Sequence, residues 1–205
     1  MASRSEFIIF FMTLSFASIF HMAMAGDPDI LTDFIVPLGS PVDENLFTFT
    51  GMRQLVGAPP PEKFKVLKAS MAEFPILNGQ SVSMAVLQYS GGSVNPPHTH
   101  PRASELLFLL EGSLQVGIVD TTNKLYTQTL QVGDIFVFPK GLVHFQYNVD
   151  ANNTAFAISA FGSASAGTVS IPSAVFNTSI SDAILAKSFK TDVSTIQKLK
   201  AGLSH

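Results

Sequence analysis

Between about residues 64 and 161 the chain is a series of short apolar segments, and this pattern constrains the fold more than any other feature. The segments are rich in valine, isoleucine, leucine and phenylalanine, and glycine or proline separates them. Short strands at this spacing are typical of an antiparallel barrel or sandwich. The predicted strands are residues 81–89, 105–110, 114–119, 125–130, 135–138, 144–149 and 155–160.

The end of the chain changes to a helical period. Four apolar side chains there recur at steps of three and four residues: Val193, Ile196, Leu199 and Leu203. This spacing indicates an amphipathic helix, and residues 181–189 predict a shorter helix before it. The predicted fold class is therefore all-β with a helical tail, in which an antiparallel β-barrel of residues 64–170 precedes C-terminal α-helices in residues 171–205.

The first 25 residues have the features of a secretory signal peptide. Arg4 lies in a short polar lead, an apolar run follows, and small residues precede the predicted cleavage after Ala25. The run of residues 7–20 is shorter than the ~20 residues that span a bilayer. We therefore expect a secreted mature chain of 180 residues with no membrane partner, beginning with an irregular, proline-containing arm over residues 26–63.

Charge and cysteine content narrow the class of protein further. The formal net charge of −3 argues against a nucleic-acid partner, because such a partner requires a basic surface. The chain has no cysteine, so core packing, a metal or oligomer formation must supply the stability that disulfides give many secreted domains. Glycosylation sequons begin at Asn152 and Asn177.

Two nearby histidines and a glutamate form the first half of a candidate metal site. His98 and His100 leave the same face of an extended strand, and the Asn-Pro-Pro that precedes them stiffens the approach. Glu105 begins a strand whose same face carries Leu107 and Leu109. An ionised carboxylate on such a face is costly unless a cation or a hydrogen-bonded partner accompanies it.

The second half of the candidate site lies some 40 residues later. His144, Gln146 and Asn148 share one strand face, which points into the same interior if the two strands are neighbours. Three imidazole nitrogens and one carboxylate oxygen suit a divalent metal. The alternative is a metal-free arrangement, in which the histidines lie on the surface or one core histidine is hydrogen-bonded to Glu105.

Two motifs in these segments resemble those of the plant germins and germin-like proteins of the cupin superfamily. The first motif comprises Gly92, His98, His100, Glu105 and Gly112, and the second comprises Gly133, Pro139, Gly141, His144 and Asn148. The resemblance covers essentially the whole mature chain. It implies a cupin-type β-barrel, or jelly roll, that holds one manganese ion (Mn²⁺) per chain through its four ligands: His98, His100, Glu105 and His144.

The resemblance also implies an extracellular glycoprotein of the plant apoplast or cell wall, with a role in defence or stress. It implies a homo-oligomer, a hexamer built as a trimer of dimers, in which the C-terminal helices join the dimers. Asn95 and Asn148 are the expected residues beside the metal or its substrate, although Asn148 equally suits a role in the fold. Ligand spacing alone leaves iron, zinc, copper and nickel open.

Two departures from the germins affect these expectations. Ile35 stands where germins have the first cysteine of their disulfide, so we expect the arm to depend on apolar contacts of Phe34, Ile35, Phe47 and Phe49. Ala85 stands where oxalate-oxidising germins have a second asparagine near the metal, whereas Asn95 keeps the first. Since alanine offers no hydrogen bond to a dicarboxylate, oxalate oxidation is disfavoured.

Three functions therefore compete at the level of sequence. The leading one is redox activity of a secreted manganese protein, with superoxide dismutation as the reaction. The second is oxalate oxidation, for which the substrate would be a small carboxylic acid. The third is a non-enzymatic scaffold of the cell wall or storage type, in which the metal is structural, so the sequence leaves open whether the chain is an enzyme.

Overall fold

The computed structural model describes residues 26–203. The predicted signal peptide, residues 1–25, lies outside the described residues, as do Ser204 and His205. The strands are β1 Lys65–Ala69, β2 Ser83–Tyr89, β3 Val94–Thr99, β4 Glu105–Glu111, β5 Ser113–Val119, β6 Leu125–Gln131, β7 Ile135–Phe138, β8 Val143–Tyr147, β9 Ala155–Phe161 and β10 Val169–Ser170. The α-helices are α1 Ile171–Phe176, α2 Asp182–Ser188 and α3 Val193–Leu203, and short 3-10 helices cover Glu44–Phe47, Gly51–Leu55 and Pro75–Leu77.

The strands form two five-stranded antiparallel sheets. The first sheet has the order β1-β2-β9-β4-β7 and the second has the order β10-β3-β8-β5-β6. Neighbours in each sheet are mostly distant along the chain, as in a jelly roll of the cupin type. The predicted fold class, all-β with a helical tail, is confirmed.

Alternation along β4 places its acid in the interior, as predicted. Glu105, Leu107 and Leu109 are buried, whereas the intervening residues are exposed. The core between the sheets consists of Leu87, Tyr89, Leu107, Leu109, Leu114, Val116, Leu130, Phe138, Ala155 and Ala157. Burial of each large apolar side chain stabilises the fold by about 1.5–3 kcal/mol, so this core fixes the framework on which the polar site is built.

The seven predicted strands are present, with ends shifted by at most two residues, and three further strands were not predicted. β3 contains Pro96 and Pro97, which a sequence pattern treats as strand breakers. β1 carries Lys65 and Lys68 among its apolar residues, and β10 has only two residues. Their strand conformation therefore comes from pairing with neighbours rather than from local propensity.

Residues 26–63 run along the barrel without forming a strand. The Asp27 carboxylate accepts hydrogen bonds from the Ser163 hydroxyl and from the Ala164 N–H, at 2.5 and 2.7 Å. Rings then contact one another along this arm. The pairs are Phe34 with Phe47, at 5.1 Å between centroids, and Phe49 with Phe74 of the barrel, at 5.4 Å.

The three α-helices form a small cluster of their own at the end of the chain. Leu185, Ala186 and Ile196 are buried together, which confirms the helical period of the tail. Lys200 of α3 lies 2.7 Å from Asp182 of α2, and this half-buried ion pair joins the two helices. None of the helices within residues 26–203 is both long and apolar enough to cross a membrane.

Candidate metal centre

Two of the predicted ligands lie on paired strands of the second sheet. His98 of β3 is directly opposite His144 of β8, and their ring centroids are 4.2 Å apart. Between Asn95 and His98 the pairing shifts, because three steps on β3 match two steps on β8. This bulge falls at the two prolines, which have no N–H to give to the ladder.

The backbone around each histidine holds its ring in one orientation. The Nδ1 atom of His98 lies 2.8 Å from the Pro96 carbonyl oxygen, that of His144 lies 2.8 Å from the Leu142 carbonyl oxygen, and that of His100 lies 2.5 Å from the Gly167 carbonyl oxygen. Carbonyl oxygens only accept hydrogen bonds, so each Nδ1 must carry the proton. Each Nε2 then presents a lone pair, as in histidines that bind metals.

The turn before His144 also fixes the chain at His100. Gly141 has a positive φ of 78°, a conformation that favours glycine, and its N–H donates to the His100 carbonyl oxygen at 3.1 Å. This backbone hydrogen bond therefore joins the two histidine-bearing segments independently of their side chains.

Glu105 reaches the same point from the opposite sheet. Its Oε1 atom accepts a hydrogen bond from the Ser159 hydroxyl at 2.6 Å and one from the Gln146 amide at 3.4 Å. Its Oε2 atom lies 2.9 Å from Nε2 of His100 and 3.2 Å from Nε2 of His144. Oε1 is thus held by hydrogen bonds from the protein, and Oε2 faces the imidazoles.

The four side chains together can hold a metal ion. One ligand atom from each of His98, His100, Glu105 and His144 lies within 4.8 Å of the other three, and all four residues are buried. With Nδ1 protonated, these atoms are three nitrogen lone pairs and one carboxylate oxygen. Such atoms repel one another unless protons or a cation lie among them, and three imidazoles with one carboxylate suit a divalent transition metal.

The charge states of His98 and Glu105 also favour the binding of a metal ion. Burial lowers the pKa of His98 to about 4, and the neighbouring His144 adds to this effect. Burial opposes ionisation of Glu105, but the polar contacts with His100 and His144 and the hydrogen bond from Ser159 outweigh it and lower the pKa of the carboxyl to about 2. At neutral pH His98 is therefore neutral and Glu105 is ionised, as metal binding requires.

A cavity of about 300 Å³ leads to the site. His98, His100 and Glu105 line its inner end, and Asn95 and Ala85 lie beside them. Other lining residues are Phe64, Val66, Lys68, Ser70, Ala72, Glu73, Ser83, Met84, Leu87, Phe161, Ser165, Ala166, Gly167 and Thr168. This cavity gives a small molecule access to the ligand cluster.

The two asparagines predicted near the site have different surroundings. Asn95 lines the cavity, and its amide donates to Oε1 of Gln146 at 2.7 Å. The Asn148 side chain is buried, and its amide donates to the carbonyl oxygens of Ser90 and Asn153. Asn148 therefore joins two loops, and none of its hydrogen bonds within the described chain reaches the four-residue cluster.

Two residues of the site have roles that were not assigned from the sequence. Gln146 shares the face of His144 and links Asn95 to Glu105, although the sequence suggested no role for it. Ser159, which orients Glu105, lies on β9, 54 residues away along the chain. The strand alternation of residues 155–160 puts Ser159 on an inner face, but no motif marks it.

Comparisons with known proteins identify the family of this chain. A sequence profile described as cupin matches residues 60–197. Germin-like protein 9-3 of Oryza sativa subsp. japonica is 62% identical over 191 residues, which cover 89% of each chain. The chain belongs to the germin-like proteins of the cupin family, as the two motifs predicted.

Further matches place this germin-like cupin among both sequences and solved structures. Germin-like protein 9-1 of Oryza sativa subsp. japonica is 50% identical over 206 residues, which cover 98% of this chain and 82% of the relative. A structure of oxalate oxidase in complex with the substrate analogue glycolate superposes with a TM-score of 0.77 and 31% identity. The superposition covers 87% of the germin-like chain and 98% of the oxalate oxidase chain.

Proposed function

We propose that this germin-like cupin binds one manganese ion per chain through His98, His100, Glu105 and His144 and acts as a secreted superoxide dismutase. The observation that supports the proposal most strongly is the orientation of the ligands. Three Nε2 atoms and one carboxylate oxygen converge, each held by the protein on its opposite side. Manganese itself is suggested by the family rather than by the donor atoms.

Dismutation converts two superoxide anions and two protons into dioxygen and hydrogen peroxide. A manganese ion held by His98, His100, Glu105 and His144 would supply the one-electron redox chemistry that this reaction requires. The reaction involves a small substrate and requires no extended cleft, in agreement with a cavity of about 300 Å³.

The residues around the site would hold it rigid during such a cycle. Ser159 and Gln146 keep the Glu105 carboxylate in one orientation. Phe138 stacks on His144 at 4.5 Å between centroids, and Phe161 contacts His100 edge-on at 4.8 Å. These apolar and polar supports determine the ligand geometry, and ligand geometry tunes the redox potential of a metal.

Oxalate oxidation is the second candidate, and one observation favours it. The oxalate oxidase structure superposes over 98% of its length, and its ligand there is the substrate analogue glycolate. Asn95 is present in the cavity, but Ala85 beside it offers no polar atom. A site that lacks one of two polar anchors binds a dicarboxylate less well, so dismutation remains the leading proposal.

A homo-oligomer is part of the same proposal. The outer face of the first sheet carries a row of exposed apolar residues on β4 and β7: Leu106, Phe108, Leu110, Ile135 and Val137. Leu106 is opposite Val137 and Phe108 is opposite Ile135, so the row is continuous. A continuous apolar surface of this kind is typical of a protein interface, and we propose a second copy of this chain as its partner.

The helical tail would then join such dimers into the hexamer that the family implies. Ile184 and Phe189 are 59% and 53% exposed on α2 and directly after it. Exposed Asn152 and Asn177 would carry glycans on the secreted protein. The extracellular location rests on these sequons and on the signal peptide of residues 1–25.

Parallel assays of the two reactions test the proposal. The secreted, purified protein is assayed for superoxide consumption and for peroxide formation from oxalate, before chelation, after chelation and after manganese is restored. Loss and recovery of superoxide consumption, with no peroxide from oxalate, supports dismutation. Peroxide from oxalate would favour the second candidate, and a metal-containing protein with neither activity would favour a structural scaffold.

A further inference from the structure

The mouth of the cavity carries one cationic side chain that the metal centre does not use. Lys68 of β1 lines the cavity together with His98, His100 and Glu105. It is the only lysine or arginine among the lining residues of the described chain. Its position therefore raises the question of what the ammonium group contributes.

Strand register directs Lys68 toward the ligands. Lys68 is opposite Ala85 on β2, and Ala85 is opposite Ser159 on β9. Directly opposite residues in antiparallel strands share a face, and Ser159 uses that face to reach Glu105. Lys68 and Ser159 are thus two strand spacings apart, or about 10 Å, a gap that a flexible lysine side chain partly spans.

Alanine at the middle position leaves space on this face. Ala85 is buried and ends at its methyl group, so the row from Lys68 to the Glu105 carboxylate contains only this methyl group and the short Ser159 side chain. Ala85 therefore gives a dicarboxylate no polar side chain to bind, whereas Lys68 on the neighbouring strand offers a positive charge.

No direct contact within the described residues fixes the Lys68 ammonium. Among residues 26–203 no carboxylate lies within 4 Å of the Lys68 ammonium, and no hydrogen bond engages it. Glu73 also lines the mouth, but Ser70 holds its carboxylate through a hydroxyl hydrogen bond of 2.6 Å and a backbone hydrogen bond of 3.1 Å. Ser70 therefore anchors Glu73, and Lys68 interacts with that carboxylate only through space, so no contact prevents the ammonium from meeting a ligand.

The balance of charge indicates the kind of ligand. The charges of Lys68 and Glu73 offset each other at the mouth, and a divalent ion with Glu105 as its only charged ligand keeps one positive charge. We propose that Lys68 is the residue that draws a small anion of single negative charge through this cavity to the metal. Superoxide and a monocarboxylate share this chemistry, and the inference rests on the proposed metal centre.

The test measures anion binding rather than turnover. Azide and acetate are titrated into the manganese-loaded protein, and the manganese electron paramagnetic resonance spectrum reports the dissociation constant of each. Lys68→Gln is compared with Lys65→Gln, which removes the same charge from the same strand outside the cavity. Lys68→Arg tests whether charge alone is sufficient.

Lys68→Gln is expected to weaken binding of at least one probe by about three- to tenfold, the effect of one charge several ångströms away in a partly hydrated site. Lys65→Gln and Lys68→Arg should stay within about twofold, and the difference should shrink in 1 M salt, where charges are screened within about 3 Å. A larger effect on azide points to superoxide-sized anions, and a larger effect on acetate points to carboxylates.

If the wild-type protein binds both anions and Lys68→Gln has the same dissociation constants as Lys65→Gln, this inference is overturned and the proposed metal centre stays intact. A wild-type protein that holds no manganese would overturn the proposed function, and this inference with it. The two failures are therefore separable in one set of titrations.

Discussion

Ser159 of β9 donates a 2.6 Å hydrogen bond to Oε1 of Glu105 on the adjacent strand β4, and this bond leaves Oε2 to face the histidines. The two residues belong to the first sheet, whereas His98 and His144 belong to the second. The candidate metal centre therefore lies between the sheets, and its one carboxylate is oriented by a residue outside both sequence motifs.

Ser159→Ala should weaken manganese binding by about 10- to 100-fold, because an unsupported carboxylate is a poorer ligand. The dissociation constant is measured by competition with a chelator of known affinity. Ser83→Ala is the control, since Ser83 is also buried in the first sheet but donates to the Ser163 carbonyl oxygen. Equal affinity in the two variants would show that Ser159 does not orient Glu105.

Ala85→Asn should raise peroxide formation from oxalate by about tenfold or more over the wild-type chain, since a polar anchor in a substrate site discriminates strongly. Ala85 lines the cavity beside Asn95, so an amide there can reach a ligand of the metal. Ala85→Val fills the same space without an amide and should give no increase. An increase in peroxide formation in both variants would show that the shape of the cavity, and not hydrogen bonding, causes the effect.

Removal of the metal should lower the thermal stability. At a metal concentration about 1,000 times the dissociation constant, binding stabilises the folded state by about 4 kcal/mol. For a chain of this size 1 kcal/mol corresponds to about 2–4 °C, so the Tm should fall by roughly 8–16 °C on chelation and recover when manganese is added. An unchanged Tm in calorimetry would contradict a metal bound by this buried cluster.

The metal-free protein should lose stability as the pH falls below about 6.5. The pKa of His98 is lowered in the folded state to about 4, so the unfolded chain binds a proton first and acid favours unfolding between these values. The pKa of Glu105 is lowered to about 2, and its contribution is lost in turn as the pH falls from about 4.5 toward 2. His98→Gln should flatten the upper part of the profile of Tm against pH, and an unaltered profile would contradict the assignment to His98.

Phe49→Ala should destabilise the chain by about 1–2 kcal/mol, less than for a fully buried phenylalanine. The Phe49 ring contacts Phe74 of the barrel, and the arm has no disulfide to hold it. Leu38→Ala changes a fully exposed residue of the same arm and should stay within about 0.5 kcal/mol. Denaturant unfolding measures both, and equal stability would show that the arm does not depend on this ring contact.

The cluster of four candidate ligands could be predicted from the sequence because these residues occur at spacings that strand periodicity converts into shared faces. His98 and His100 are two residues apart, and Glu105 begins a strand that alternates regularly. The hydrogen-bonding partners could not be predicted in this way. Ser159 meets Glu105 only through the register of β4 with β9, and the Gly167 carbonyl oxygen meets His100 across 67 residues of chain.

The strands also divide into those that the local sequence predicts and those that depend on tertiary pairing. The apolar segments of residues 105–110 and 114–119 carry their own signal and form strands as predicted. β3 does not, since Pro96 and Pro97 oppose it locally and only pairing with β8 and β10 makes it a strand. Of the three strands that were not predicted, this one carries His98, so tertiary pairing overrode local preference at the candidate site.

Metal content by mass spectrometry on the secreted, purified protein is the most direct test of the proposed manganese centre. The wild-type chain should hold about one manganese per chain, Glu105→Ala should hold little, and Glu111→Ala should match the wild type, since Glu111 is exposed at the other end of β4. A folded wild-type protein without metal, or equal metal content in Glu105→Ala and Glu111→Ala, would contradict the assignment of the centre.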